Sequence, residues 1–483
     1  MLHVLFDGAR AGTIPLPTVA ANGRAELEQA CGAFSPESVA DGTGIDAETI
    51  RALAREFAAS PRACAYSRVG ISQSEFGPTV AWLVECLNIV TGNLDRAGGS
   101  VFPTPPADIG PSARVMIGNR WGRWRSRVRK LPELYGALPS TAMAEEMETP
   151  GPGQIRAMLV LAGNPVSATP NSGRMDKAFA SLEHVVSIDY YRNETSRHAT
   201  VLLPSRHVFE TGMFDVILSR FAVHTAARYS PPIVNTTDNT RDDWEIASEL
   251  AIRLRLPRWT WGMARRLVRD WPEQTIDFLL RTGPFGWSHG LSLKKLRANP
   301  HGVDLGPLVP GRVKLRTPDG LPNLAPARFI GDLQRVNAWI GRHCAPTGPT
   351  PPALTMIGRR HVRSNNSWMH NLKSLTRGAD RSQMWMHPTD GLVRGCVDGG
   401  DVRATSRVGE VVVRLRLTDE MMPGVVSLPH GFGQASVADT LRVAGKLPGV
   451  NANILTDDQL VEPLIGTSIL NGLPVTVTPA YQK

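Results

Sequence analysis

The apolar positions of this chain follow two periods, one helical and one alternating. In "SPESVADGTGIDAETIRALAREFAAS" (35–60) Ser35 and Asp46 each stand where a helix N-cap accepts a backbone amide, and Ile50, Leu53 and Phe57 form a stripe, so two short helices are predicted. "PRACAYSRVGISQ" (61–73) reads as a strand that reaches a turn at Gly70. "GPTVAWLVECLNIVTGNL" (77–94) reads as a helix, with Val80, Leu83, Val84, Leu87 and Val90 on one side and Gly92 ending it. Further on, "IRAMLVLAGNP" (155–165) and "HVVSIDYYRNETSRHATVLLPS" (184–205) are apolar strands separated by a helix from Gly173 to Leu182. Strand, helix, strand at that spacing implies a parallel sheet with helices on its faces. "DDWEIASELAIRL" (242–254) is an amphipathic helix that closes the domain.

Two stretches break the pattern. Residues 100–150 are rich in Pro and Gly and carry a basic burst, "RWGRWRSRVRK" (120–130), which reads as a surface insertion. Residues 257–350 read as irregular linker or insertion with one short helix at "WGMARRLVRDW" (261–271). From about Thr355 alternation takes over. "DVRATSRVGEVVVRLRLTDEMMPGVVSLPHGFG" (401–433), with Gly409 in a hairpin and Pro423-Gly424 in a turn, predicts a closed or half-closed β-barrel. The expected architecture is therefore α/β: a parallel-sheet, Rossmann-like domain over 1–255, a linker over 256–350 and a barrel over 351–483.

Composition adds mostly exclusions. No run of about 18 apolar residues occurs, and the opening "MLHVLFDGARAG" is interrupted by Asp7 and Arg10, so neither a membrane span nor a signal peptide is expected and the location reads as cytoplasmic. Cys31, Cys64, Cys86, Cys344 and Cys396 stand far apart without a Cys-x-x-Cys pair. They predict buried free thiols rather than a zinc or iron–sulfur site. His184, His198 and His207 lack a metal-ligand spacing and read as ordinary polar residues. The net charge of +9 favours a polyanion without choosing one. Arg123, Arg125, Arg127, Arg129 and Lys130, interleaved with Trp121 and Trp124, have a composition that grips single-stranded nucleic acid. The reading preferred here is an insertion packed on a neighbouring domain or subunit, with nucleic acid not expected as a partner.

Open α/β sheets bind ligands beyond the carboxyl ends of their strands, where helix-start amides face anions. At those places this sequence puts Gly70 with Ser72 and Gln73, Gly163 with Asn164, and Ile188 with Asp189. Each alone reads as a tight turn. Together they point to a nucleotide.

Five separated motifs then carry a resemblance: "YSRVGISQSEFG…LNIVTGNLDRAGG", "LVLAGNPVSATPN", "SIDYYRNETSRHATVLLPS…FETGMF", "RDDWEI", and the late "NANILTD" with "VEPLIGTSILNGLPVTV". In this order they resemble the molybdopterin-dependent oxidoreductases of the dimethyl sulfoxide reductase and formate dehydrogenase superfamily, over nearly the whole chain. The resemblance implies a molybdenum bis(molybdopterin guanine dinucleotide) cofactor, held between the α/β domain and a six-stranded-type, molybdopterin dinucleotide-binding barrel. It implies that Val69, Gly70 and Gln73 lie near the pterin, and that Gly163, Asn164 and Ile188 approach the nucleotide. Asp189 and Asp242 would accept from guanine, and Ser205 would sit at the next strand end. In "MIGRRHVRSNNSWMHN" (356–371), Gly358 would allow close approach, and Arg359, Arg360, His361 and Arg363 would meet pyrophosphate. Asn365, Asn366, Ser367 and His370 would read the pterin, while Asn453 and Asn471 would close over it.

The family's four-cysteine domain and the Cys, selenocysteine, Ser or Asp that ligates molybdenum are not recognisable here, and Thr211 replaces a common Lys. The chain thus reads as a carboxy-terminal portion, with no iron–sulfur cluster of its own and no assignable catalytic or metal-ligating residue. Two functions follow from the resemblance. One is the cofactor-binding part of an oxidoreductase, formate dehydrogenase-like, acting on a small molecule. The other is a catalytically incomplete molybdopterin-binding fragment that needs a separate amino-terminal polypeptide or an electron-transfer partner.

Overall fold

The computed structural model describes residues 1–109, 122–236, 240–311, 315, 317–343 and 353–480. These form two compact units, the first comprising Met1–Thr104, Leu218–Thr225 and Gly306–Thr350, the second the remainder.

The first unit is helical: α1 (Leu2–Arg10), α2 (Arg24–Cys31), α3 (Pro36–Thr43), α4 (Ala47–Ala59), α5 (Val69–Ser72), α6 (Gly77–Val90) and the helix Ala327–His343. The two expected caps form, Ser35 Oγ accepting from the Ser38 amide at 3.2 Å and Asp46 Oδ1 from the Thr49 amide at 2.8 Å. Leu5, Phe6, Leu27, Ala54, Cys86 and Val90 make the core, joined by Leu333 of the last helix. The strand expected over 61–73 is absent. Its backbone is held by a side chain instead of a neighbouring strand, Asn88 accepting from the Ala65 amide at 2.8 Å and donating to the Ala65 carbonyl at 2.9 Å. Tyr66 and Val69 are left exposed, and Gly70 lies within α5 rather than at a strand end. The linker reading also fails at 327–343, where Phe329, Ile330, Leu333 and Val336 pack on the core and Phe329 stacks on Trp82 at 5.4 Å.

In the second unit β1 (Ala157–Leu161), β2 (His184–Ile188) and β3 (Val201–Leu203) form the expected parallel sheet. Their carboxyl ends are level: Leu161 pairs with Ile188, and Ile188 with Leu203. One face is covered by α7 (Met143–Glu148) and α8 (Ser172–Ala180), through Met147, Met175, Ala178 and Phe179 against Val160 and Val185. After the sheet, α9 (Asp243–Arg255) begins with a capping box between Asp242 and Glu245. The supposed linker continues as α10 (Trp261–Val268), α11 (Trp271–Thr282) and α12 (Leu293–Ala298). Its Pro and Gly residues punctuate these helices, and Leu280, Leu291, Leu293 and Leu296 make a core of their own.

The barrel is closed and six-stranded: β4 (Leu354–Arg359), β5 (Met384–Met386), β6 (Asp401–Thr405), β7 (Glu410–Leu417), β8 (Val425–Pro429) and β9 (Leu473–Pro479), in the order β6-β7-β5-β8-β4-β9, with β9 pairing back to β6. Alternate residues point inward, and Met384, Met386, Ala404, Leu415, Val426 and Leu428 are fully buried. Closure leaves no edge to template aggregation.

The basic burst lies partly at the surface, with Arg123, Trp124, Arg125 and Lys130 exposed, and is partly packed inward. Residues 120 and 121 lie outside the described residues, but Arg129 pairs with the buried Glu145 at 2.8 Å, Arg127 with Glu146 at 3.3 Å and Arg123 with Glu133 at 3.3 Å. Arg123, Arg127 and Arg129 thus face carboxylates, while Arg125 donates to the Lys130 carbonyl. Cys31, Cys86 and Cys396 are buried, Cys64 is exposed on the extended segment, and Cys344 lies outside the described residues. Among the described residues no group of three His, Cys, Asp or Glu side chains is arranged to hold a metal, and no helix is long and apolar enough to cross a membrane.

Candidate functional site

Level strand ends bring two loops side by side. Ala162, Gly163 and Asn164 follow β1, and Asp189 to Glu194 follow β2. Across from them stand Ser367, Trp368 and Asn371, from the loop after β4, and Gln434, Leu441 and Ala444, from the segment after β8. Together they enclose a cleft of about 190 Å³. The barrel side is tied to itself and to the sheet side. Asn371 Oδ1 accepts from the Val443 amide at 3.0 Å, and Thr440 Oγ1 donates to the Arg192 carbonyl at 2.8 Å. Gly431, at φ +92°, passes so close to Asn366 that a Cβ would lie 2.2 Å from its carbonyl oxygen. Only glycine allows that crossing.

The sheet side is a fixed network. The Asn164 amide donates to Glu194 Oε2 at 2.6 Å, and its oxygen accepts from Thr195 Oγ1 at 2.7 Å. Thr195 Oγ1 in turn accepts from the Val166 amide at 2.9 Å. Asp189 uses both oxygens within its own loop, accepting from the Tyr191 amide at 3.0 Å and from Asn193 at 2.8 Å, and burial raises its pKa. Ala162 holds a φ of +45°, which L-residues rarely adopt, and such strain concentrates at binding sites.

One side chain at the cleft keeps a buried polar atom without a hydrogen-bond partner among the described residues: Glu194, through Oε1. Glu194 is 6% exposed and Gln434 2%. An orphaned acceptor beside a cleft costs free energy unless a ligand donates to it. The cleft also carries exposed aromatic faces in Trp368 and Tyr190. His370 packs on Phe432 at 4.3 Å between centroids, and burial lowers its pKa. His430 is pushed down to about 4, first by burial and then by Arg360. Both are neutral at pH 7.

Of the residues singled out from sequence, Gly163, Asn164 and Asp189 line the cleft, as does Ser367. Ile188 is fully buried at the end of β2, holding the Asp189 loop from below. Ser205 is buried beyond β3, bridged to Arg241. Asp242 caps α9 and pairs with Arg206 at 2.7 Å. Gly358 donates its amide to Asn471 at 2.7 Å. Arg359 donates to the Ser427 and Gln383 carbonyls and lies 4.0 Å from the Trp385 ring centroid, with burial lowering its pKa to about 10. Arg360 donates to Asn366, whose φ is +62°, and His361 stands exposed in the same loop. Asn453 is buried and donates to the Ser167 carbonyl at 2.8 Å, locking barrel to sheet. Val69, Gly70 and Gln73 lie on and just after α5 in the first unit. Sequence reasoning missed Glu194, Trp368, Gln434 and the two tyrosines, of which all but Gln434 stood inside quoted motifs with no role assigned to them.

Residues 52–253 match the molybdopterin oxidoreductase family, and residues 354–474 match the molybdopterin dinucleotide binding domain. The chain is 24% identical over 417 residues to formate dehydrogenase H of Escherichia coli, covering 82% of this chain and 55% of that protein. It is 24% identical over 458 residues to the assimilatory nitrate reductase catalytic subunit of Bacillus subtilis (89% and 61%). With dimethyl sulfoxide reductase DmsA of Escherichia coli it shares 23% over 442 residues (83% and 52%). The chain thus spans about half to three fifths of these relatives. The solved structure of acetylene hydratase from Pelobacter acetylenicus shares the fold, with a TM-score of 0.71 at 16% identity over 99% of this chain and 70% of that one. The chain belongs to the molybdopterin-dependent oxidoreductases of the dimethyl sulfoxide reductase and formate dehydrogenase superfamily, and its barrel is their dinucleotide-binding domain.

Proposed function

We propose that the cleft takes the guanine end of a molybdenum bis(molybdopterin guanine dinucleotide), and that the chain is the cofactor-holding part of a formate dehydrogenase-like oxidoreductase. One observation carries this reading: Glu194 Oε1 is a buried acceptor without a hydrogen-bond partner among the described residues, and it lines the same cleft as the Gln434 side chain. Guanine offers two donors on one edge, N1–H and N2–H2, whereas adenine offers a donor and an acceptor. A carboxylate oxygen and an amide oxygen suit the first edge, and the carboxylate bond is charge-assisted. Asn164 would hold the Glu194 carboxylate in place, Trp368 and Tyr190 would stack on the base, and Asp189 would fix the loop without reading the ligand. Arg360 and His361 would meet pyrophosphate.

When bound, the cofactor supplies two-electron chemistry at molybdenum. What the chain contributes is grip, orientation and exclusion of water. Formate is favoured as substrate because formate dehydrogenase H is among the relatives. The second reading, a molybdopterin-binding chain without turnover of its own, is favoured by the absence of a recognisable metal-ligating residue in this sequence.

The test is nucleotide discrimination. Guanosine monophosphate is expected to raise the unfolding midpoint in proportion to its occupancy, and adenosine monophosphate to leave it unchanged. Equal shifts, or none with guanosine monophosphate, contradict the guanine reading.

A further inference from the structure

The stretch "RLRLPRWTWGMARRLVRDW" (253–271) runs from the end of α9 through α10 to the first residue of α11, and none of it lines the cofactor cleft. Trp259, Met263 and Leu267 stand four residues apart along α10 and the turn before it, and Trp271 continues the spacing at the head of α11. Residues four apart share a helix face. Every member of the row is exposed: Trp259 84%, Met263 62%, Leu267 70% and Trp271 59%. The other side of α10 is the one that packs. Trp261 donates its indole N–H to the Leu256 carbonyl at 3.0 Å, and Arg265 Nε donates to Glu249 of α9 at 2.8 Å. Two residues along a helix turn through about 200°, so Met263 and Leu267 point away from the side that Trp261 and Arg265 face. Single apolar side chains are ordinary on a protein surface, whereas a contiguous row of large ones marks an interaction site.

Charge tells what covers it. Between Arg253 and Trp271 stand six arginines, all exposed, and one acidic residue, Asp270. Among the described residues only Arg253 and Arg265 of these six form ion pairs, both with Glu249, whose carboxyl Arg265 and Arg253 hold down at about 2. Arg255, Arg258, Arg266 and Arg269 keep uncompensated charge. Arg266 and Arg269 line an open groove of about 620 Å³ between α9 and α10, on the flank of the apolar row. We propose that this face lies on an anionic lipid bilayer, with Trp259, Met263, Leu267 and Trp271 at the boundary of headgroups and acyl chains and the unpaired arginines on lipid phosphates. Helices with an arginine-rich side and an apolar side that carries tryptophan settle in the plane of that interface. A nucleic acid offers bases to stack on tryptophan but no apolar medium for Met263 and Leu267. A protein partner would need a fixed array of acids to match the arginines, which mobile anionic headgroups supply without one. No helix among the described residues is long and apolar enough to cross a membrane, so the contact is peripheral.

The test is flotation of the purified chain with vesicles of phosphatidylglycerol and phosphatidylcholine, set against vesicles of phosphatidylcholine alone. The chain is expected to float with the anionic vesicles, to be released by high salt, and to stay behind with the neutral ones. Leu267→Glu puts a charge in the apolar row, and Arg266→Gln combined with Arg269→Gln removes two unpaired cations. Each is expected to weaken binding to the anionic vesicles at least about tenfold. All three positions are exposed, so the unfolding midpoints are expected to stay at that of the parent chain. Leu392→Glu, at a residue 80% exposed on the barrel, is the control and is expected to float like the parent. Failure of the folded parent chain to float, equal flotation with neutral vesicles, or flotation of Leu267→Glu at the level of the parent overturns the proposal. So does a chain that ignores vesicles but dimerises through Leu267, or one that ignores vesicles but holds single-stranded DNA through Arg266 and Arg269. These readouts do not depend on whether the cleft holds a guanine nucleotide.

Discussion

The Asn164 side chain donates to one oxygen of Glu194 at 2.6 Å and leaves the other buried and unpaired beside the cleft. Because Thr195 donates to the Asn164 oxygen, the Asn164 amide cannot turn over, and Glu194 must face it with an acceptor. In the Glu194→Gln variant the new amide therefore puts its oxygen toward Asn164 and its NH2 into the cleft, a donor against guanine's donors. Loss of one charge-assisted bond costs about 2 kcal/mol, so guanosine monophosphate binding is expected to weaken roughly thirtyfold. The unfolding midpoint without ligand is expected to stay level or rise, since a buried unpaired charge has gone. Calorimetric titration and thermal melts check both halves.

Trp368 is 67% exposed at the rim of the cleft, so little of the fold depends on it. As a stacking surface for a base it is worth about 1–3 kcal/mol. Trp368→Ala is expected to weaken nucleotide binding by roughly ten- to hundredfold while moving stability by no more than about 0.5 kcal/mol. Trp368→Phe restores most of the binding if stacking is the cause.

His430 sets a pH dependence. Its value in the folded protein is about 4 against an ordinary 6.5, lowered by burial, then by Arg360 and His370. Between those values the unfolded chain binds a proton that the folded chain refuses, so stability falls as pH drops through this window and is fully present above 6.5. The expected loss is on the order of 2 kcal/mol from pH 7 to pH 4.5. Denaturant melts of the His430→Asn variant should show a shallower fall than the parent chain, and identical slopes contradict this account.

Arg129 bonds to the buried Glu145 and also donates to the carbonyls of Thr141 and Asp458 at 2.8 and 3.1 Å. Removing it leaves an uncompensated buried carboxylate, so Arg129→Ala is expected to destabilise by about 3 kcal/mol. Retention on single-stranded DNA is expected to be unchanged in a folded Arg125→Ala variant, whose arginine donates to the Lys130 carbonyl at 2.9 Å. A marked loss of retention revives the nucleic-acid reading of the basic burst.

The sheet, its crossover helix and the barrel were legible because each shows its period locally: the inward positions of β7 alternate without a break from Val411 to Leu415. The segment at 61–73 misled because apolar content alone does not provide a partner strand, and Asn88 does that work from a helix. The region 257–350 read as linker because Pro and Gly stand between its helices, while the stripe of Phe329, Leu333 and Val336 was there to be counted. At the site, Gly163, Asn164 and Asp189 could be found from strand ends. Glu194 could not, because its role depends on Asn164, 30 residues earlier, and Gln434 comes from a loop on the far side of the cleft. No spacing in the sequence links those two residues.

The most direct measurement is the cofactor content of the chain purified from a molybdopterin-producing host. After acid release, the account predicts guanosine monophosphate and molybdenum at a ratio of two nucleotides to one metal in the parent chain, with both greatly reduced in Glu194→Gln. A folded preparation that releases neither, or that releases a nucleotide other than guanosine monophosphate, contradicts it.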